Sequence, residues 1–271
     1  MTPLVSVLMP AYNAEKYIGE AIESILNQTF TDFELIISDD LSIDKTWEVI
    51  QDYAKKDKRI SIYKNKKNLY IAENRNVLVR KAKGKYIAWQ DADDISLVDR
   101  IEKQYEFMEQ NPRVGIIGGY LQFFDEKGIK SIRKYATTDS ELRKNIFRFS
   151  PVAQPTAMIR SECFKKTGLY NPKYPPAEDI DMSFRIGSCF EFSNIPQITL
   201  KYREHFNSST FKKLKKIELS TLEVRWQNSV NPKYKMGLID YVYNVIQYLS
   251  IFIVPTKIKI ELFNLIRNVK K

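Results

Sequence analysis

A single histidine, His205, and two cysteines, Cys163 and Cys189, are all that the 271 residues offer of the usual transition-metal ligands. The two thiols stand in no paired ligand spacing. Neither a disulfide scaffold nor a zinc site can be assembled from them, and a histidine-based triad has no spare imidazole. Any metal must be held by carboxylates. The nine glycines are scattered and form no G-x-G-x-x-G or G-x-x-x-x-G-K-[ST] string, which argues against a typical dinucleotide fold or a P-loop. A bound diphosphate would have to be met by a metal ion and by cations such as Arg75. The opening apolar run, Leu4-Val5-Ser6-Val7-Leu8-Met9, is too short for a secretory signal, so a cytosolic protein is expected.

The composition that remains is that of a folded protein, with 44% hydrophobic, 28% charged and 13% aromatic residues. Its length suits one large domain, or one domain plus an extension. Charge divides unevenly: residues 1–200 carry 29 Lys and Arg against 28 Asp and Glu, whereas residues 201–271 carry 14 against 5. A basic tail can serve nucleic acid. This one is also rich in large apolar residues, which favours an anionic membrane surface over a duplex groove.

Along the chain, short apolar runs alternate with segments of helical periodicity. Val5–Met9, Phe33–Ser38, Ile60–Tyr63, Tyr86–Trp89 and Val114–Ile117 read as strands, and Glu15–Leu26, Asp44–Ala54, Ile71–Ala82 and Leu97–Glu109 as helices. Such alternation predicts an α/β protein with a doubly wound, mostly parallel sheet. Tyr120–Phe124 and Ile129–Tyr135 flank Glu126-Lys127-Gly128 as a hairpin, so the second half should be mixed, and Gly118-Gly119 reads as a bend between strands. Ligands in open α/β sheets sit beyond the carboxyl ends of the strands. Asp39-Asp40 follows the second strand and Asp91-Ala92-Asp93-Asp94 the fourth. An Asp after a strand can simply cap the next helix, as Asp44, Asp94 or Asp99 could, but that accounts for one carboxylate per loop, not several. Asp91 and Asp93 suit Mg²⁺ or Mn²⁺ held jointly with a substrate phosphate.

Six further strings stand in order with these acids: Val5-Ser6-Val7-Leu8-Met9-Pro10-Ala11-Tyr12-Asn13, Ala21-Ile22-Glu23-Ser24-Ile25-Leu26-Asn27-Gln28-Thr29, Asp39-Asp40-Leu41-Ser42, Glu73-Asn74-Arg75-Asn76, Ala82-Lys83-Gly84-Lys85-Tyr86-Ile87 and Ala177-Glu178-Asp179-Ile180-Asp181. Together they resemble the family 2 inverting glycosyltransferases of GT-A fold over roughly residues 4–205. The resemblance implies a GT-A-like mixed sheet in a catalytic domain (1–210), followed by a basic amphipathic helical extension (211–271). It implies that Pro10, Ala11 and Tyr12 line the nucleotide-base pocket and that Asp40 accepts from the base. Arg75 would face base or phosphates, and Asp91 and Ala92 would contact the donor. Asp93, with Asp91, would ligate Mn²⁺ or Mg²⁺, and Asp179 would be the catalytic base. Leu41 departs from the family pattern, which often has Gly there.

Asp179 also has a case from the residues alone. Pro175-Pro176 ends an extended loop and Met182, Phe184 and Ile186 begin a helix, so a carboxylate at that helix entrance is held rigidly enough to take a proton from an acceptor hydroxyl. Glu178 reads as a cap or orienting residue, and Asp181 with Arg185 as an i,i+4 pair. His205 is a further candidate for the metal or a phosphate. Trp47 and Tyr53 read as core, Trp89 as core or a wall of the donor site.

In the tail, Met236–Val254 is almost continuously apolar apart from Asp240, Asn244 and Gln247, which share one stripe. This predicts a helix lying in a membrane interface, followed after Pro255 by a second with Lys257, Lys259, Arg267, Lys270 and Lys271 available to anionic headgroups. The alternative is packing on the catalytic domain or on a twin subunit. The reading is therefore a transferase moving sugar from a nucleotide diphosphate sugar, a UDP-sugar, to a glycan or lipid-linked acceptor at the inner face of the membrane, with no nucleic-acid partner. A sugar nucleotidyltransferase and a lapsed membrane-bound binding module are the competing readings.

Overall fold

The structure is a computed structural model that describes residues 2–205 and 209–270, without the side chains of 209–212 and 270. Four strands pair in parallel at one side of a mixed sheet: β1 (Val5–Ala11), β2 (Phe33–Asp39), β3 (Ile60–Lys64) and β4 (Tyr86–Trp89), in the spatial order β3-β2-β1-β4. β1 is buried along its whole length, as a central strand covered on both faces must be. Between them run α1 (Ile18–Leu26), α2 (Thr46–Lys56) and α3 (Tyr70–Lys81), with α4 (Arg100–Gln110) after the acidic loop. The expected helices are all present, with starts shifted by one to three residues.

The second half turns the sheet antiparallel. A two-residue strand, β5 (Ile95–Ser96), was not legible in the sequence. β6 (Val114–Asp125) and β7 (Gly128–Arg133) form the expected hairpin, and β8 (Met158–Arg160) joins β6 to β4 antiparallel to both. β9 (Glu191–Arg203) runs beside β6, and β10 (Asn268–Lys270) closes on β7. The sheet is thus mixed, not mostly parallel. Gly118-Gly119 is no bend between strands, because both residues lie inside β6, whose pairing with β9 shifts register at Gly119/Tyr120. A Cβ at Gly119 would lie 2.3 Å from the Thr199 side chain, and one at Gly118 2.6 Å from Asn194 and Val152, so the pair lets β9 and the 152–156 segment approach the strand.

Short helices α5 (Asp139–Asn145) and α6 (Ser161–Thr167) precede α7 (Glu178–Gly187); α8 (Ser209–Asn228), α9 (Leu238–Ile253) and α10 (Thr256–Arg267) make the tail. These last helices are seated on the sheet-bearing part of the chain. Val224, Tyr234 and Met236 belong to the hydrophobic cluster that holds Trp89, Phe147 and Phe184, and Tyr234 Oη donates to the Phe184 carbonyl at 2.8 Å. Trp47 and Tyr53 are partly buried against the other large cluster.

The polar stripe of α9 points inward. Asp240 and Asn244 are buried: Asp240 pairs with Arg148 Nε at 2.7 Å, and Asn244 Nδ2 donates to the Phe147 carbonyl at 2.9 Å. Arg225, on α8, donates to Gln247 at 3.0 Å and to the Arg148 carbonyl at 2.6 Å. Leu238, Ile246, Leu249, Ile253, Leu265 and Ile266 face outward. Of the tail cations expected to be available, Lys257 is exposed, but Lys259 is taken by Glu218 at 2.6 Å and Arg267 lies 4.0 Å from the Phe149 ring. Lys271 and the Lys270 side chain lie outside the described residues.

The loop after β2 adopts a backbone that its sequence resists. Leu41 has φ +65°, the left-handed region that a Cβ disfavours by about 1–2 kcal/mol. Hydrogen bonds across the two strand ends hold it there. Asp39 accepts from Ser42, Ser42 Oγ accepts from Asn13 N at 2.9 Å, and Asn13 Oδ1 accepts from Ile43 N at 3.0 Å. Leu41→Gly should therefore leave stability unchanged or raise it by up to about 1 kcal/mol, and Leu41→Val should lower it by about 1–2 kcal/mol. Urea unfolding measures both, and a Val variant as stable as wild type would show that the loop is unstrained.

Candidate active site

The carboxyl ends of β1, β2 and β4 and the start of α7 meet on one side of the sheet, and the residues singled out above lie there. Pro10 and Ala11 close β1, both buried, while Tyr12 stands half exposed beyond them. Asp40 follows β2 and is buried; its Oδ1 accepts from Asn65 Nδ2 at 2.9 Å and from Leu69 N at 2.8 Å. Both bonds use one oxygen, which leaves the other for a ligand.

α3 brings Arg75 to the middle of the acids. Its inward face is polar, with Asn74, Arg75 and Asn76 buried, and each has a defined partner. Asn74 Oδ1 accepts from Ser38 Oγ at 2.6 Å, and Asn76 exchanges two 2.9 Å hydrogen bonds with the Tyr170 backbone. Arg75 donates to Glu178 Oε1 at 2.7 Å and lies 3.8 Å from Asp91 Oδ1. Its guanidinium sits 5.2 Å from the Trp89 ring and 5.7 Å from that of Tyr170. The Arg75 and Glu178 side chains are 6% and 4% exposed. Arg75 thus ties α7 to the acidic loop and has little surface left for a substrate. Trp89 is fully buried and serves as the platform under it.

The acidic loop sends its carboxylates in three directions. Asp91 turns to Arg75. Asp93 Oδ2 meets His205 Nε2 at 2.9 Å, and Asp94, fully buried, accepts from Arg203 N at 2.9 Å instead of capping α4. Asp44 does serve the start of its helix, accepting from Thr46 N at 3.0 Å. Arg203 completes the wall: its Nε donates to the Asp93 carbonyl at 2.9 Å, and its guanidinium stacks 4.7 Å from the Tyr17 ring, which in turn lies 4.9 Å from that of His205. Asp179, the second residue of α7, accepts from Ile180 N at 2.9 Å and remains partly open to solvent. Asp181 and Arg185 pair at 2.7 Å on the same helix.

Burial dominates the electrostatics. It raises Asp91 to about 6 against the pull of Arg75, with Asp93 and Asp179 pushing the same way. Asp179 is raised by burial and lowered by Arg75, and Asp94 is raised well above the carboxylate range by burial and by Asp93. A divalent ion fits this setting only as a shared ligand. Among the described residues no group of three or more His, Cys, Asp and Glu could hold an ion alone. Asp93 and His205 converge, however, and the buried His205 Nδ1 has no partner. Mg²⁺ and Mn²⁺ commonly take one or two protein ligands and complete their shell with phosphate oxygens and water.

Sequence reasoning missed two residues. Arg203 carried no signal beyond its place two residues before His205. Buried Arg100 donates to the Trp89 carbonyl at 2.6 Å and to Ser96 Oγ at 2.8 Å. Its signal, visible in hindsight, was polar Arg100 and Gln104 on the same face of α4 as apolar Ile101 and Met108.

A curled mixed sheet with acids at the ends of its parallel strands is the architecture of the GT-A-type glycosyltransferases. The model for glycosyl transferase family 2 matches residues 6–189, and the chain belongs to that family. It is 37% identical over 265 residues to an uncharacterised glycosyltransferase of Methanocaldococcus jannaschii, covering 94% of this chain and 90% of that one. To the putative glycosyltransferase EpsE of Bacillus subtilis it is 32% identical over 245 residues, 89% and 86% of the two chains. Among solved structures, S. aureus TarS 1-349 with UDP-GlcNAc superposes with a TM-score of 0.63 at 17% identity over 93% of this chain and 81% of that one. The mannosyltransferase PcManGT of Pyrobaculum calidifontis with GDP-Man and Mn²⁺ gives 0.65 at 14% identity over 94% and 71%. The protein is a glycosyltransferase.

Removing Arg75 should expose the cost of this cluster. Arg75→Met leaves the buried Glu178 and the partly buried Asp91 without a counter-ion, a loss of about 3–5 kcal/mol. Burial raises the pKa of Asp91 to about 6 against the pull of Arg75; removing that pull raises it further, so the variant's folded state holds the proton to higher pH and the extra cost of ionising it accumulates only above about pH 6. The loss from Arg75→Met should thus be larger at pH 8 than at pH 5. Urea titrations at both pH values measure it, and equal losses would mean that Arg75 acts through packing alone.

Proposed function

We propose that the chain is an inverting, metal-dependent hexosyl- or N-acetylhexosaminyltransferase. It moves a sugar from a nucleotide diphosphate sugar, a UDP-sugar, to a hydroxyl of a glycan or lipid-linked acceptor in cell-surface polysaccharide synthesis. The observation that carries this reading is the placement of Asp179: a partly open carboxylate on the first turn of α7, which Arg75 ties through Glu178 to the loop bearing Asp91 and Asp93. Pro10, Ala11 and Tyr12 line the base pocket, Asp40 accepts from the base through its free oxygen, and Asp91 with Ala92 borders the donor. Asp93, with His205, would hold Mn²⁺ or Mg²⁺ together with the donor phosphates, and the ion would supply charge neutralisation for the departing diphosphate. Asp179 takes the proton from the acceptor hydroxyl as its oxygen attacks the anomeric carbon from the face opposite the diphosphate, which inverts that centre. Arg75 positions Asp91 and α7 and does not itself contact the donor.

The test is transfer from a panel of nucleotide sugars. Asp179→Asn should lower turnover by roughly 10² to 10⁴ while donor binding survives, and exhaustive chelation should abolish transfer until Mn²⁺ is returned. Transfer at the wild-type rate in the Asn variant, or a product that retains the donor's anomeric configuration, would remove Asp179 from its role. Full activity after chelation would remove the metal.

The tail seats the enzyme peripherally on the inner face of the cell membrane. No helix among the described residues is long and apolar enough to cross a membrane, and the outward apolar faces of α9 and α10 support attachment within the interface. Ile246→Glu with Leu249→Glu should reduce sedimentation with anionic liposomes at least tenfold. If the wild type ignores such liposomes and instead dimerises with rising concentration, the apolar face belongs to a second copy.

A further inference from the structure

Asp91, Asp93 and Asp94 repel one another, and their carboxylates are engaged with Arg75, His205 and Arg203. The loop that carries them therefore needs a restraint of its own. Gln90, fully buried just before it, supplies one. Its backbone N donates to the Leu8 carbonyl of β1 at 3.0 Å. Its side-chain nitrogen donates both to the Asp91 carbonyl at 3.0 Å and to the Asp94 carbonyl at 2.9 Å. Those carbonyls stand at the two ends of a turn that Asp94 N closes on the Asp91 carbonyl at 3.3 Å.

The other end of the same amide is equally committed. Gln90 Oε1 accepts from Ser96 Oγ at 2.6 Å and from Arg100 Nη1 at 3.2 Å, so both donors and both acceptor sites of the side chain are used. Arg100 decides which way the amide faces: turned over, its NH₂ would meet a guanidinium and its oxygen two carbonyls. Arg100 is itself fixed, bonded to the Trp89 carbonyl, to Ser96 Oγ and, at 3.2 Å, to Gln104 Oε1. Buried Gln104 donates in turn to the Thr156 carbonyl at 2.7 Å. A buried guanidinium met by neutral oxygens is costly to keep, and here it holds a polar network that runs from α4 to both ends of the acidic turn.

We propose that Gln90, oriented by Arg100, is the positioning residue of the acidic loop: it fixes both ends of the turn and thereby the directions in which Asp91 and Asp93 leave the backbone. Neither Gln90 nor Arg100 touches donor or ion. Their role rests on the transferase reading above, in which Asp93 holds the ion. An ion that takes only one or two protein ligands depends on where those groups stand before it arrives, and such groups must be held to within about 0.5 Å. Mutual repulsion would otherwise spread the three acids, and two hydrogen bonds from one amide oppose that at the backbone, leaving the carboxylates free for their own partners.

The probe is Mn²⁺ with UDP, followed by the electron paramagnetic resonance signal of free Mn²⁺. Hydrogen exchange of the Asp94 and Arg203 amides is a second readout that needs neither ion nor nucleotide. Gln90→Met keeps the length of the side chain and removes its four hydrogen bonds. Gln90→Glu keeps the shape and an acceptor for Ser96 and Arg100, so it folds even where the Met variant does not, but it loses both donors to the loop. Each should weaken binding of Mn²⁺ with UDP by roughly 10- to 100-fold and speed exchange of the two amides about tenfold. By charge alone an added carboxylate would strengthen cation binding, so a loss in the Glu variant reports geometry. Gln28 is the control: it is buried, donates to the Ser24 and Leu97 carbonyls at 2.9 and 2.7 Å and accepts from Ile101 N at 3.0 Å. Gln28→Met should lower urea stability as Gln90→Met does and still bind Mn²⁺ with UDP as wild type does. Wild-type binding in Gln90→Met, an equal loss in Gln28→Met, or tighter binding in Gln90→Glu overturns the role of Gln90. If the wild type binds no Mn²⁺ with UDP, the metal reading fails and amide exchange decides: faster exchange in the Gln90 variants supports the restraint, and unchanged exchange overturns it.

Discussion

Arg75 is the buried cation on which the catalytic face depends. Carboxylates from two distant segments, Asp91 in the loop after β4 and Glu178 at the start of α7, come to the same guanidinium, Glu178 buried and Asp91 partly so, and a buried carboxylate without a counter-ion is costly. The guanidinium supplies it, held between the rings of Trp89 and Tyr170 and fixed on a helix whose neighbouring asparagines are themselves bonded to β2 and to the 170 loop. The position of Asp179 follows, since it shares the first turn of α7 with Glu178. Arg75 is bonded to Glu178 and lies 3.8 Å from Asp91, so one planar guanidinium reaches toward two acids at once.

The second organising feature is the way the tail is attached. α9 turns its few polar residues inward onto Arg148, Arg225 and the Phe147 carbonyl and leaves its apolar residues outside. A helix in a protein that ends at water does the opposite. The arrangement resolves what the residue pattern left open: the helices pack on the catalytic unit and still present an apolar surface, because the two tasks use different sides of the same helix. The buried polar contacts fix its rotation, as partners that must be satisfied are directional and apolar packing is not.

Much of the fold was legible because it is local. Hydrophobic alternation gave the four parallel strands and their helices to within three residues, and Glu126-Lys127-Gly128 marked the hairpin of β6 and β7. The failures have a common cause. Gly118-Gly119 reads locally as a bend, whereas its glycines serve the close approach of Thr199, Asn194 and Val152, residues distant in sequence. β5 is too short to carry a period, and Leu41 keeps a loop conformation through bonds from Asn13 and Ser42 that only the juxtaposition of two strand ends creates.

The amino-acid sequence by itself determined the order of strands and helices, the family, and which acids stand at strand ends, because strand and helix periodicity and the order of short motifs are properties of the chain. Only the tertiary structure decided which partner each acid takes. Asp91 goes to Arg75, Asp93 to His205 and Asp94 to Arg203, choices that depend on where α3, β9 and the residues just after it place those partners. It likewise decided that the polar stripe of α9 faces protein. Periodicity states that a stripe exists, but its direction is set by the buried groups across the interface that need hydrogen-bond partners.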